Sequence, residues 1–296
     1  KLVCGMGPPS SGGLTILQIL GLLSGFDLKN MTPASLEAVH LVGEASALAF
    51  ADRNTYIGDS DFVSVPADGM IDGGYLNRRA QKINISRAGG RRKAGNPNVP
   101  GALLLSPHEG YEGPSTTHLS VIDANGSAVS MTSSVENAFG SRQMASGFIL
   151  NNQLTDFSFR PTRNGHDVAN RAAAGKRPRS SMSPTLVFNE GGTLMMAVGS
   201  PGGSRIIGYV TKTLVGVIDW GLSMQDAINL PNFLNRNRGL EIEKNSRLET
   251  LRPELEALGH KVKTFKWHSG LHGVRVTPKG LEGGADKRRE GIALGD

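Results

Sequence analysis

A single cysteine, Cys4, stands among 296 residues, so no internal disulfide can form. Its neighbours do not resemble a Cys–His catalytic pair, and a small buried or semi-buried thiol is expected. No apolar run is long enough to cross a bilayer. The chain opens on Lys1 and strand-like residues, with neither a start methionine nor a signal peptide, and reads as something that starts mid-protein. Aromatics are sparse at 5%. Two familiar signatures are also missing: the G-x-S-x-G elbow of serine hydrolases and the G-x-x-x-x-G-K-[ST] phosphate loop.

Glycine, by contrast, is abundant at 39 residues. With few aromatics, that suits a sheet-rich enzyme full of tight turns better than a helix bundle. Hydrophobic residues at 38% and charged residues at 20% describe a soluble globular protein, long enough for one large domain or two small ones. The net charge of +6 sits in three runs: Arg87, Arg91, Arg92 and Lys93; Arg171, Lys176, Arg177 and Arg179; and Lys287, Arg288 and Arg289. None is interleaved with aromatic stacking residues, which argues against nucleic acid. Each predicts a solvated loop, with attraction of anionic substrates a secondary reading.

Leu17, Leu20 and Leu23 recur at helical spacing after Pro8–Gly13. Thr32-Pro33 predicts a helix start, followed by Leu36, Val39, Gly43, Ala47 and Phe50 on one face. From Asp59 to Gly113 the text is irregular and predicts a linker, ending in Tyr111-Glu112-Gly113-Pro114. Beyond it, 117–123 and 128–134 alternate as strands around Asn125-Gly126, a strong hairpin signal. A second hairpin is expected from Thr185 to Val198. Ser204 is expected to cap a helix carrying Ile207, Val210, Leu214, Val217 and Ile218. Helices near 224–230 and 251–258, then strands near Val262 and Val274, complete the pattern. Hairpins alternating with helices predict an α+β fold with antiparallel sheets.

Four segments carry chemistry. In Gly113-Pro114-Ser115-Thr116-Thr117-His118, a hydroxyl pair stands where the linker meets the hairpin. A threonine hydroxyl needs a base. If the Ser115–Thr116 bond is cut, the new α-amine of Thr116, with an ordinary pKa of about 7.7–8.0, supplies one. Gly199-Ser200-Pro201-Gly202-Gly203-Ser204-Arg205 reads either as a tight strand-to-helix turn or as an oxyanion hole from the amides of Gly202 and Gly203. Segments 151–157 and 179–184 are dense in hydrogen-bonding groups suited to a zwitterion, or to capped turns. His268 and His272 have metal-like spacing, but Gly270 and Gly273 argue against a helix there, so no metal and no cofactor is expected.

Together these segments resemble the gamma-glutamyltransferase family, which includes cephalosporin acylases. The resemblance is strongest in 116–123, 139–141, 150–157, 177–185 and 199–207. Upstream, 8–13, 51–53 and 56–59 resemble the end of the family's large subunit. It implies a four-layer αββα sandwich of the N-terminal-nucleophile type, cut by itself into two subunits. Residues 1–115 would then be the end of the large subunit with its linker, and 116–296 the small catalytic subunit, forming one structural domain. It further implies Thr116 as nucleophile, Ser134 in place of a supporting threonine, and Gly202 and Gly203 as oxyanion donors. Gln153, Asp156, Ser180 and Ser181 would bind the α-amino and α-carboxyl groups of a γ-glutamyl donor such as glutathione. Water, an amino acid or a dipeptide would be the acceptor, and the location periplasmic or secreted.

Two departures open alternatives. Glu136 stands where the well-known transferases carry an asparagine at the substrate's amino acid end, which keeps open an acylase for another γ-linked amide. The family's large subunit extends ahead of Lys1 and supplies an arginine for the donor's carboxylate, a role no residue here inherits by motif. A truncated, non-catalytic homologue is the reading from a different class.

Overall fold

The computed structural model describes residues 1–97, 105–108 and 115–295. The end of the expected linker, Tyr111–Pro114, lies outside the described residues. Five antiparallel strands make the main sheet, in the order β1-β8-β9-β13-β14: β1 (Leu2–Gly5), β8 (Thr185–Phe188), β9 (Leu194–Gly199), β13 (His272–Thr277) and β14 (Gly280–Ala285). Strands β2 (Ser115–Ile122) and β3 (Ala128–Glu136) form a separate antiparallel hairpin, turning at Asn125-Gly126, with Gly126 left-handed at φ 83°. Two short hairpins follow, β4–β5 (Met144–Ala145 with Phe148–Ile149) and β6–β7 (Thr162–Arg163 with His166–Asp167).

Residue alternation decides what each face of the main sheet meets. Met196 and Val198 of β9 are buried in the large apolar core with helices α1 (Gly12–Leu23), α2 (Leu36–Tyr56) and α5 (Ile206–Ile218). On the opposite face Gly199 lies against the ring of His118 in β2; any Cβ there would overlap it. Ser130 Oγ donates to Val198 O at 3.1 Å and accepts from Thr185 N at 3.1 Å, pinning the hairpin to the sheet. Helices, sheet and hairpin thus stack as successive layers in an α+β fold. A three-stranded sheet, β10 (Phe233–Asn235), β11 (Leu240–Glu243) and β12 (Val262–Phe265), adds Phe233, Leu234, Leu240, Ile242 and Val262 to the same core; its β11–β12 pairing is parallel.

Several expectations need correction. The linker from Asp59 contains two helices, α3 (Ala67–Ile71) and α4 (Gly73–Ala80), with Met70, Tyr75, Leu76 and Arg79 buried. Their Gly- and Arg-rich text hid them, but Asp72 caps α4 by accepting from Tyr75 N at 2.7 Å. The helix after Thr32-Pro33 begins only at Leu36. Ser35 is its cap, accepting from Ala38 N at 3.3 Å, because Ala34 takes a left-handed turn at φ 51°. Ser204 caps nothing: a 3-10 turn, Gly203–Arg205, precedes α5, and its hydroxyl accepts from Arg236 at 2.7 Å. Cys4 is exposed, since β1 lies at the sheet's edge. Helices α6 (Met224–Asn229) and α7 (Arg252–Ala257) stand where expected.

The three basic runs are not merely solvated. Arg92 pairs with the buried carboxylate of Glu44. Arg177 brackets Asp59 with three hydrogen bonds of 2.5–3.0 Å, holding that carboxyl well below the usual carboxylate range. Arg179 and Lys176 are buried, the lysine donating to Ala169 O at 2.6 Å. Arg288 binds Glu243 and Asp286. Spacing along the chain cannot show that each run faces carboxylates far away in sequence.

Asp52 organises the site end of α2. Buried itself, it accepts from Gln18 Nε2 (3.2 Å), Tyr75 OH (2.6 Å), Arg79 Nη2 (2.8 Å) and Gly95 N (2.8 Å). It ties α1, α2 and α4 together and fixes the helix turn from which Arg53 projects. Asp52→Ala strands the buried Arg79 charge and should lower stability by about 3–5 kcal/mol. Chemical denaturation checks this, and Asp52→Ala with Arg79→Met should recover part of the loss.

Candidate active site

The strand pairing that builds the hairpin also builds the site. Thr116 lies opposite Ser134, and one residue on, the register slips so that Ser115 lies opposite Glu136. Val135 is the extra residue, and Glu136 takes a left-handed φ of 72°. Thr116 is buried. Its Oγ1 donates to Ser134 Oγ at 3.0 Å, while Ser134 Oγ donates to Ser115 O at 3.2 Å and accepts from Glu136 N at 2.9 Å. A serine hydroxyl has one proton and two lone pairs. The carbonyl takes the proton, so toward Thr116 the serine can only accept. The threonine hydroxyl is thereby held beside the carbonyl of the peptide bond that precedes it, and that carbonyl is polarised.

A small cavity opens there, lined by Thr116, Ser134, Glu136, Gln153, Asp156, Ser180, Ser181, Met182, Gly203 and Ile206. Gln153 Nε2 bridges two buried carboxylates, donating to Glu136 Oε2 (3.1 Å) and Asp156 Oδ2 (2.6 Å). Asp156 is held in turn by Asn170, whose Nδ2 donates to Asp156 O at 2.7 Å and whose Oδ1 accepts from Arg179 N at 2.9 Å. Ser180 and Ser181 are fixed from the other end of the chain: Ser11 N and Oγ both donate to Ser180 O at 2.7 Å. Arg53 Nη2 donates to Ser181 Oγ at 2.5 Å and its Nε to Ser11 Oγ at 2.9 Å. Carboxylates at one side and hydroxyls backed by a guanidinium at another can seat an ammonium and a carboxylate respectively.

Gly202 and Gly203 turn the chain from β9 into α5. Their φ values of 134° and 61° fall in the region that glycine alone adopts without strain, and a Cβ at Gly202 would come within 2.5 Å of Tyr209. Among the described residues neither amide donates a hydrogen bond. Of the two, Gly203 lines the cavity. His118 follows on the same face of β2 but is a structural group. Its ring nitrogens contact Thr132 Oγ1 (2.8 Å) and Ser120 Oγ (3.0 Å), and burial, reinforced by His272, lowers its pKa to about 3. A neutral imidazole of that kind is no general base near neutral pH. No group of three or more metal-ligating side chains occurs among the described residues, and His272 lies on a strand.

A gamma-glutamyltranspeptidase family model matches residues 1–296. The chain belongs to that family. It is 40% identical over 296 residues to the glutathione hydrolase proenzyme of Escherichia coli (strain K12), covering 97% of this chain and 49% of that one. With the glutathione hydrolase proenzyme of Bacillus subtilis (strain 168) it shares 34% over 299 residues, 97% of this chain and 50% of the relative. The Acylase ACY 1 proenzyme of Pseudomonas sp. (strain SE83) is 33% identical over 296 residues, 99% of this chain and 50% of that one. The chain thus spans about half the length of the curated relatives it matches. Among solved structures, a cephalosporin acylase from Bacillus halodurans shares the fold at a TM-score of 0.80 and 22% identity, over 97% of this chain and 49% of that one. An acivicin-inhibited gamma-glutamyltranspeptidase matches at 36% identity and a TM-score of 0.53, over 59% of this chain and 99% of its own. Both matches accord with the α+β layering described above.

The structure brings the sequence-predicted Thr116, Ser134, Glu136, Gln153, Asp156, Ser180, Ser181 and Gly203 around one cavity, with Gly202 next to it in the chain. Motif reasoning did not find Arg53 on Ser181, nor Arg289, whose Nη1 donates to Thr116 O at 3.2 Å. For His118 a signal existed: two residues after Thr116 in a strand, it had to share its face.

Folding with neutral, buried histidines gives a pH signature. His260, buried against His40, is lowered to about 4, chiefly by burial, and His118 to about 3. Their stabilisation is full above about pH 6.5 and declines as pH falls toward those values, by up to about 1.4 kcal/mol per unit for each group. The thermal midpoint should therefore fall between pH 7 and pH 5. His260→Gln, which keeps a donor toward His40, should flatten that slope; an unchanged slope contradicts the assignment.

Proposed function

We propose that this chain carries the catalytic half of a γ-glutamyl amide hydrolase or transferase, with Thr116 as an N-terminal nucleophile. The observation that carries the reading is the Ser134 hydroxyl, bonded at once to the Thr116 hydroxyl and the Ser115 carbonyl. In the first step Thr116 Oγ1 attacks the Ser115 carbonyl carbon. As the C–N bond breaks, the proton lost by Oγ1 passes to the Thr116 nitrogen, which is released as the free α-amine, and water hydrolyses the resulting ester. Thr116 now has an α-amine within reach of its own hydroxyl, so nucleophile and base belong to one residue.

In the mature enzyme Thr116 Oγ1 attacks the γ-amide carbon of glutathione or a similar donor, and its amine takes the proton. The amides of Gly202 and Gly203 stabilise the oxyanion at the mouth of a helix. Glu136, Gln153 and Asp156 hold the donor's ammonium, and Ser180 and Ser181, backed by Arg53, its carboxylate. The leaving amine departs with the proton, and water, an amino acid or a dipeptide takes the acyl group. Residues 1–115 are read as the end of a large subunit and 116–296 as the small one, packed as one domain and working as a heterodimer. A solved family chain matched over nearly its whole length corresponds to about the share of this chain that runs from Thr116 onward, which supports that division. A periplasmic or secreted location goes with this reading; no helix among the described residues is long and apolar enough to cross a membrane.

Glu136 favours a second substrate reading. A second carboxylate beside Asp156 suits an ammonium but repels a carboxylate set next to it, so the rival donor is a γ-linked amide whose own carboxylate lies away from Glu136, of the kind an acylase cleaves.

Thr116→Ala should abolish release of p-nitroaniline from γ-glutamyl-p-nitroanilide. Ser134→Ala removes a donor to the carbonyl under attack and should slow self-cleavage by about 10²–10³-fold. Release by the Thr116→Ala protein, followed by absorbance, would contradict the assignment. Comparing that donor with its des-amino glutaryl counterpart separates the two substrate readings, since only the first needs the carboxylate pair.

A further inference from the structure

We propose that Arg289 is a positioning residue of the threonine centre, gripping the main-chain carbonyl of Thr116 from the far end of the chain. The proposal rests on Thr116 being the nucleophile. Arg289 Nη1 donates to Thr116 O at 3.2 Å, and its Nε donates to His268 O at 2.7 Å. Its aliphatic stem runs over Gly270, where a Cβ would lie 3.1 Å from Arg289 Cδ and 2.8 Å from Pro201 Cγ. Gly270 thus leaves room for both the Arg289 stem and the ring of Pro201, the residue before Gly202.

The turn that presents Arg289 is rigidly built. Asp286 is buried and accepts from Ser269 Oγ (2.6 Å), Leu271 N (3.3 Å) and Arg288 N (3.0 Å). Its own N donates to Leu271 O at 2.9 Å, and Arg289 N donates to Asp286 O at 3.4 Å. Arg288 locks the turn onto Glu243 with bonds of 2.5 and 2.8 Å. A guanidinium held this way loses little freedom when it binds a carbonyl, and the bond is charge-assisted.

Self-cleavage explains why such a grip matters. Before it, Thr116 is tethered on both sides. Afterwards it is a chain end, and chain ends fray unless tied down. β2 pairs only with β3 among the described residues. The Thr116 side chain must stay within about 0.5 Å of its working position. Arg289 replaces the lost covalent tether with a hydrogen bond to the same residue. A cavity of about 540 Å³, lined by Thr116, His118, Pro201, His272, Arg289 and Glu290 among others, adjoins the grip.

Arg289→Met, Arg289→Gln and Arg289→Lys test this in the full protein. After cleavage, Arg289→Met should lose about 10–10²-fold in kcat on γ-glutamyl-p-nitroanilide, with KM within about twofold and an unchanged thermal midpoint. Lysine should restore part of the loss, and glutamine, which keeps one donor, less. Hydrogen exchange at the amides of Thr117 and His118 should quicken in Arg289→Met and recover with lysine. That readout needs no turnover, so a chain that neither splits nor reacts sinks the Thr116 reading while still reporting on the grip. Unchanged kcat and exchange in Arg289→Met, or a loss matched by a fallen midpoint and not relieved by lysine, overturns the proposal.

Discussion

The hydroxyl of Ser134 has one proton and two lone pairs, and three neighbours use all of them. Its proton goes to the Ser115 carbonyl; its lone pairs receive the Thr116 hydroxyl and the Glu136 amide. That arrangement needs the register of β2 and β3 to hold, because a slip of one residue would turn every side chain to the other face. The hairpin is pinned accordingly. Ser130 bonds to both β8 and β9, and His118 lies flat on Gly199. A larger residue at Gly199 would push the hairpin off the sheet and pull the serine out of reach of both partners.

Around this centre the charges are arranged by distance in the chain rather than by proximity. The carboxylates of Glu136 and Asp156 come from the hairpin and the turn after it, and Gln153 keeps them from facing each other unscreened. Arg53 arrives from α2, oriented by the packing around its neighbour Asp52, and meets Ser181 across 128 positions. Arg289 arrives from the last turn, held by Asp286 and Arg288. On the proposed mechanism the site therefore depends on the fold at two remote points, one beside the buried Asp52–Arg79 pair and the other beside the Asp286–Arg288 pair. His118 contributes shape and not protonation, since its burial keeps the ring neutral.

What the sequence made legible was local. Asn125-Gly126 forces the turn that pairs Thr116 with Ser134, and the glycines at 202 and 203 announce a backbone conformation that favours glycine. Helices α1, α2 and α5 announced themselves by period. Where reasoning failed, the cause was long-range. Helix α4 is held by Asp52 through Tyr75 and Arg79, and α3 by Gln18 through Met70 O, both from outside their own segment, so their Gly- and Arg-rich text read as linker. The basic runs read as solvent-facing because Glu44, Asp59 and Glu243 are far away in sequence. The short strands β10 and β11 carry too few residues for alternation to register. The chemistry was visible in residue types; the groups that hold it in place were not.

The account stands or falls on whether the bond between Ser115 and Thr116 opens by the protein's own hydroxyl. Intact mass spectrometry of the purified protein after incubation measures that directly. The account predicts two species, the smaller beginning Thr116-Thr117-His118-Leu119, and one uncut species for Thr116→Ala. A single uncut mass from the unsubstituted protein, or the same two fragments from Thr116→Ala, contradicts it.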